Sequence, residues 1–143
     1  MLPPVLVTPP AEQPLTLAEV KAHLRVDHDE EDALIGGLLD AAVSHLDGWR
    51  GILGRCLVTQ TWRQDFAGWA DLWLPFPDVQ GATVTYRDGA GAAQTVDAGD
   101  VLVEPWGGRY GVRFVSGWGF PALLTGGAAP VSVTVTAGFG GAE

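Results

Sequence analysis

The sequence predicts an α+β fold: two N-terminal helices followed by an antiparallel β-rich sandwich or small barrel of about seven short strands. Three observations predict it. Apolar residues recur at three- and four-residue spacing up to Trp49, the signature of amphipathic helix. From Arg55 onward the chain breaks into short β-branched and aromatic runs separated by turn residues. Twenty glycines and ten prolines among 143 residues, well above the roughly 12% of average usage, leave little room for long helices. Helices first and strands afterwards, with no alternation, argue for α+β over a parallel α/β sheet.

Each element has a local cause. Residues 1–14 hold five prolines (Pro3, Pro4, Pro9, Pro10, Pro14). Fixed φ angles and extended preceding residues predict an arm there, not a helix. Thr16 and Glu19 stand three apart and form a capping box, with Leu15 and Val20 placed for a hydrophobic staple. A helix from Leu17 to Leu24 follows. The acidic run Asp27-His28-Asp29-Glu30-Glu31-Asp32 leads into a second helix, its negative charge matched to the helix dipole. Ile35, Leu38, Leu39, Ala42, Val43, Leu46 and Trp49 form one stripe expected to be buried. Gly36-Gly37 weakens that helix by about 1 kcal/mol per glycine, which predicts a close neighbour there. Gly48, Gly51 and Gly54 end it.

Strand candidates are residues 56–64, 72–74, 82–87, 94–96, 101–104, 112–115 and 131–137. Asp88-Gly89 is the clearest hairpin turn. Val131-Ser132-Val133-Thr134-Val135-Thr136 alternates strictly, giving one apolar and one polar face. The chain therefore divides into an arm (1–14) and one domain (15–143), with a helical part (15–54) and a β-rich part (55–143).

Composition excludes several activities. Eight basic residues against seventeen acidic ones, a net charge of −9, are the wrong balance for gripping nucleic-acid phosphates. One cysteine, Cys56, allows neither an internal disulfide nor a cysteine zinc cage. No run of 18 apolar residues predicts a membrane span. Met1-Leu2-Pro3-Pro4 has neither the basic start nor the apolar stretch of a signal peptide, so a cytoplasmic chain is expected.

The motifs for chemistry fail one by one. Read as a calcium loop from Asp27, the acidic run puts Asp32 where glycine must turn and Leu38 where a bidentate glutamate must sit. His23, His28 and His45 form no zinc-binding helical pair. Gly117-Trp118-Gly119-Phe120-Pro121-Ala122 fits a dinucleotide pattern, but no helix or βαβ unit surrounds it. A Walker loop is impossible with Lys21 as the sole lysine. No catalytic, cofactor-binding or metal-binding residue is predicted, and no cofactor. Trp69, Trp73, Trp106 and Trp118, with Phe120, lie in or beside glycine- and proline-containing loops. They read as core lids, as a protein contact surface, or as a sugar-stacking cleft.

Three segments carry a specific likeness. The run Leu15-Thr16-Leu17-Ala18-Glu19-Val20, the acidic turn with the second helix, and Leu57-Val58-Thr59-Gln60-Thr61-Trp62 occur in that order. So arranged, the chain resembles the head–tail connector (adaptor) family of tailed phages and gene transfer agents. The end, Thr136-Ala137-Gly138-Phe139-Gly140, resembles the longer members, which continue into C-terminal helices that engage the portal.

The resemblance implies a structural protein without catalysis: a subunit of a ring, twelve in the relatives, between the capsid portal and the stopper or tail. It further implies a place at the capsid–tail junction of a particle assembled in the bacterial cytoplasm. DNA would pass through the bore without sequence-specific binding, and an acidic subunit with one lysine offers few phosphate anchors. Asp27, Asp29, Glu30, Glu31 and Asp32 are expected to face the lumen or a basic neighbour. Together with Trp69, Trp73, Trp106, Trp118 and Phe120 they are the interface candidates. Residues 2–14 are expected to order on an adjacent subunit or the portal. A small carbohydrate-binding module using the loop tryptophans is the alternative from another class.

Overall fold

The computed structural model describes residues 2–106, 109–127 and 129–140. In chain order the elements are β1 (Val5–Thr8), α1 (Leu17–Leu24), α2 (Asp32–Leu46), β2 (Gln60–Phe66), β3 (Val79–Arg87), β4 (Ala93–Thr95), β5 (Val101–Trp106), β6 (Arg109–Phe114) and β7 (Val131–Ala137). Five strands form one sheet in the order β1-β2-β7-β3-β4, and β5-β6 form a separate hairpin. Among the described residues the fold is thus α+β with seven strands, and the open five-stranded sheet does not close into a barrel.

The central strand is the most sharply patterned. Val131, Val133, Val135 and Ala137 of β7 are fully buried, while Ser132, Thr134 and Thr136 on the opposite face are half-buried. Antiparallel pairing on both sides, to β2 and to β3, satisfies its backbone. The buried face of the sheet, with Phe66 and Val84, packs on Leu72, Leu74, Phe76, Val96 and Val112. Hairpin β5-β6 and the segment 72–76 therefore form the second layer. The Asp88-Gly89 turn joins β3 to β4 as the sequence predicts, fastened by Asp88, whose backbone N–H donates to Ala92 O and whose carboxylate accepts from the N–H groups of Ala90 and Ala92.

The helices form a separate antiparallel pair. Thr16 Oγ1 accepts from Glu19 N–H at 3.2 Å while Glu19 Oε2 accepts from Thr16 N–H at 2.7 Å, the reciprocal cap foreseen in the sequence. Arg25, left-handed at φ 59°, ends α1.

Four expectations are corrected. The arm is not free of its own subunit: β1 pairs antiparallel with β2, placing Val5 opposite Arg63 and Leu6 opposite Trp62. Its prolines lie outside the hydrogen-bonded strand, and its burial pattern is wholly exposed, which is why alternation gave no warning. The stripe on α2 is not a core face. Ile35 is buried, but Leu38 is 61% exposed and Trp49, beyond the helix end, is 44% exposed, because no β element packs over them. Nothing lies within 4 Å of a Cβ placed at Gly36 or Gly37, so those glycines do not mark a close contact within the subunit. Residues 72–74 contribute a single bridge, Trp73 to Gly111, in place of a strand.

Candidate assembly surfaces

The joint between helices and sheet explains the motif Thr59-Gln60-Thr61-Trp62. Asp47, the C-cap of α2, accepts from Leu57 N–H through Oδ1 at 2.7 Å and from Gln60 Nε2 through Oδ2 at 2.9 Å. Gln60, itself buried, accepts from Trp62 Nε1 at 3.0 Å. Trp62 then packs on Phe76, with ring centroids 5.1 Å apart. Thr59 Oγ1 donates to Phe139 O at 2.8 Å, and Val58 bridges Phe139. At Gly138, φ is +112° and a Cβ would sit 2.5 Å from Val58 O, so the backbones approach there as only glycine permits. The motif residues thus serve as a joint. The sequence flagged Gln60 and Trp62 as a pattern but not Asp47, whose only signal was its position at a helix end just before glycine.

The acidic turn is organised by one cation. Lys21 Nζ lies 2.5 Å from Asp29 Oδ1 and 2.6 Å from Asp32 Oδ1. Those hydrogen bonds, Asp29 first, hold the ammonium above its ordinary pKa, and the same bond holds the Asp29 carboxyl below its own. Thr16, chiefly through its backbone N–H, likewise depresses Glu19. Asp27, Glu30 and Glu31 are exposed and extend the negative patch. An open, mainly apolar groove of about 530 Å³ lies between the helices, its walls including Leu15, Glu19, Val20, Leu24, Leu38 and Leu39.

A second apolar feature stands at the other end of α2. The chain doubles back, with Ile52 N–H donating to His45 O and Leu53 N–H to Leu46 O. A Cβ at Gly51 would fall 2.2 Å from Leu46 O, so the turn demands glycine. Ile52 is left 67% exposed and Leu53 half-exposed, flanked by the exposed Arg50 and Arg55.

The loop aromatics largely meet one another. Trp69 is the hub: its ring lies 5.0 Å from Tyr86, 5.5 Å from Phe114 and 5.1 Å from Trp118, and Nε1 donates to Pro121 O at 3.0 Å. Trp118 stacks on Phe114 at 4.1 Å and 12°. Phe120 caps the cluster and is 60% exposed. Trp73 is half-buried beside Gly111. The side chain of Trp106 lies outside the described residues. The acids and the aromatics are therefore separate surfaces, not one site.

Cys56 is buried and its thiol pKa is pushed up to about 12, by desolvation and then by Asp47, which leaves it unreactive. Among the described residues no three His, Cys, Asp or Glu side chains gather as a metal site, and no helix is long and apolar enough to cross a membrane.

The comparisons with known proteins point the same way. Residues 14–62 match the model of the phage gp6-like head-tail connector proteins. A chain in the virion of a native gene transfer agent particle superposes with a TM-score of 0.70 at 26% identity, over 97% of this chain and 73% of that one. The chain is similar to head-tail connectors over that stretch.

Chains from the neck of the empty gene transfer agent particle, treated with C6 symmetry, and of the native particle, treated with C12 symmetry, each match at a TM-score of 0.68 and 27% identity. Both matches span 98% of this chain, and 72% and 71% of those chains respectively. Curated protein sequences give no match. The matched stretch 14–62 runs from the residues before the capping box to Trp62 of the joint, so what is shared in sequence is the helical pair and its attachment to the sheet.

Proposed function

We propose that this chain is a head–tail adaptor subunit, one of a ring (a dodecamer, by analogy with the C12 neck) between the portal and the stopper or tail of a phage-like particle. The neck match over 98% of the chain carries this reading. The net charge of −9 supports a bore through which DNA slides, because a surface with few cations holds few phosphates. In this reading the acidic turn faces either the lumen or a basic neighbour, and the exposed apolar helix face is covered on assembly. The closed aromatic cluster does not favour the carbohydrate alternative: the face of Trp118 is taken by Phe114.

The test is particle assembly without the chain. Cells producing the particle but lacking this protein are expected to accumulate heads and tails that fail to join, with rescue by the intact chain. Complete tailed particles formed in its absence would overturn the reading.

A further inference from the structure

We infer that the groove between α1 and α2 is a self-recognition site, filled by the Ile52-Leu53 turn of a neighbouring copy of this chain. The inference rests on the ring reading above and gives it a contact. A closed ring of like subunits is built from a heterologous contact, in which two different patches of the same chain meet. The chain carries two such patches, one along α1 and α2 and one in the turn beyond the C-terminal end of α2.

The groove is concave and apolar. Its helices bury little between them: α1 has no buried residue, and Ile35 is the buried residue of α2. Helices this short are marginal without tertiary cover. The turn presents Ile52, 67% exposed, beside Leu53, and it is held in place by backbone hydrogen bonds to His45 and Leu46. Charge agrees with shape. Glu19 is among the residues lining the groove, while the exposed Arg50 precedes the turn. Opposite charges at the rim favour a head-to-tail register and oppose groove-to-groove pairing of two copies. A central aliphatic anchor in a pocket with a charged rim is the usual anatomy of an energetic contact.

The experiment uses the full chain carrying Leu38→Cys and Ile52→Cys together, under mild oxidation. Cys56 does not compete, being buried with a thiol pKa of about 12. The expected product is a ladder of dimers, trimers and higher rungs, since each chain then offers one donor and one acceptor. Each single variant should give no ladder and no specific dimer, because its one introduced cysteine faces Ile52 or Leu38 of the neighbour. Ile52→Glu and Leu38→Glu, both at exposed positions that keep the monomer's circular dichroism, should each weaken assembly at least about tenfold, the loss expected on removing a hot-spot contact. A ring that forms with no ladder overturns this contact and leaves the adaptor reading standing. A chain that gives no ladder and stays monomeric at high concentration also overturns it. Failure of the adaptor reading itself would show separately, as tailed particles assembled without the protein.

Discussion

Gln60 Nε2 donates a 2.9 Å hydrogen bond to Oδ2 of Asp47, and this pair fastens the helical part of the chain to its sheet. Replacing Gln60 with Leu keeps the volume of the site roughly unchanged. It strips a partner from both Asp47 and Trp62 Nε1, leaving polar groups short of hydrogen bonds in a part-buried setting. An unsatisfied buried group costs about 1–3 kcal/mol. Gln60→Leu should lower stability by about that amount in urea denaturation and loosen amide protection at the C-terminal end of α2. A variant as stable as the parent would show that the joint is held by packing alone.

The arm is tied down at its start. Gln64 Nε2, on a buried side chain, donates to Leu2 O at 2.7 Å, and Leu2 N–H donates to Asp65 O at 3.2 Å. Deleting residues 2–13 removes β1 and leaves the Gln64 amide without that partner, so the isolated subunit should melt at a lower temperature. A loss of about 1–3 kcal/mol corresponds to several degrees in a domain of this size. An unchanged melting temperature would place the arm outside the subunit's own fold.

Lys21 links helix stability to pH. Asp29 has a lowered folded pKa, so its contribution is present above its ordinary value of 3.8 and is lost as pH falls through the lowered one. Lys21 has a raised folded pKa, so its contribution is present below 10.5 and is lost as pH rises through the raised one. Helicity measured by far-ultraviolet circular dichroism should therefore fall at both extremes. Lys21→Met should flatten both slopes, and high salt should weaken them, since the Asp29 carboxylate faces solvent. Equal acid sensitivity in the variant and the parent would assign the loss to other carboxylates.

Gly138 is the residue of the C-terminal motif that cannot change. Its φ of +112° strains any side chain, and a Cβ would meet Val58 O at 2.5 Å. Gly138→Ala should cost more than about 1 kcal/mol, whereas Gly140→Ala, with nothing within 4 Å, should be tolerated. Denaturant midpoints of the two variants measure the difference, and equal midpoints would show that the backbone can shift away.

Local signals were legible and tertiary placement was not. The Thr16–Glu19 box set the start of α1, and strict alternation gave the bounds of β7, because both patterns follow from contacts within a few residues. The first strand of the sheet was hidden: Val5 to Thr8 are all exposed and sit among prolines. The α2 stripe was read correctly as apolar and wrongly as buried, since periodicity reports which face seeks cover, not whether the same subunit supplies it. In the proposed ring that cover comes from the next copy. The loop tryptophans left three readings open; Trp69 and Trp118 meet in one aromatic cluster from which Phe120 protrudes.

The central claim is that this chain works as a ring subunit at the neck of a phage-like particle. Cryo-electron microscopy of particles assembled with the intact chain tests it most directly. The account predicts a closed ring of copies of this fold at one vertex, between capsid and tail, with the helical pair at the subunit boundary. A neck reconstruction with every density assigned to other proteins, or this chain present as an isolated subunit away from the axis, would contradict it.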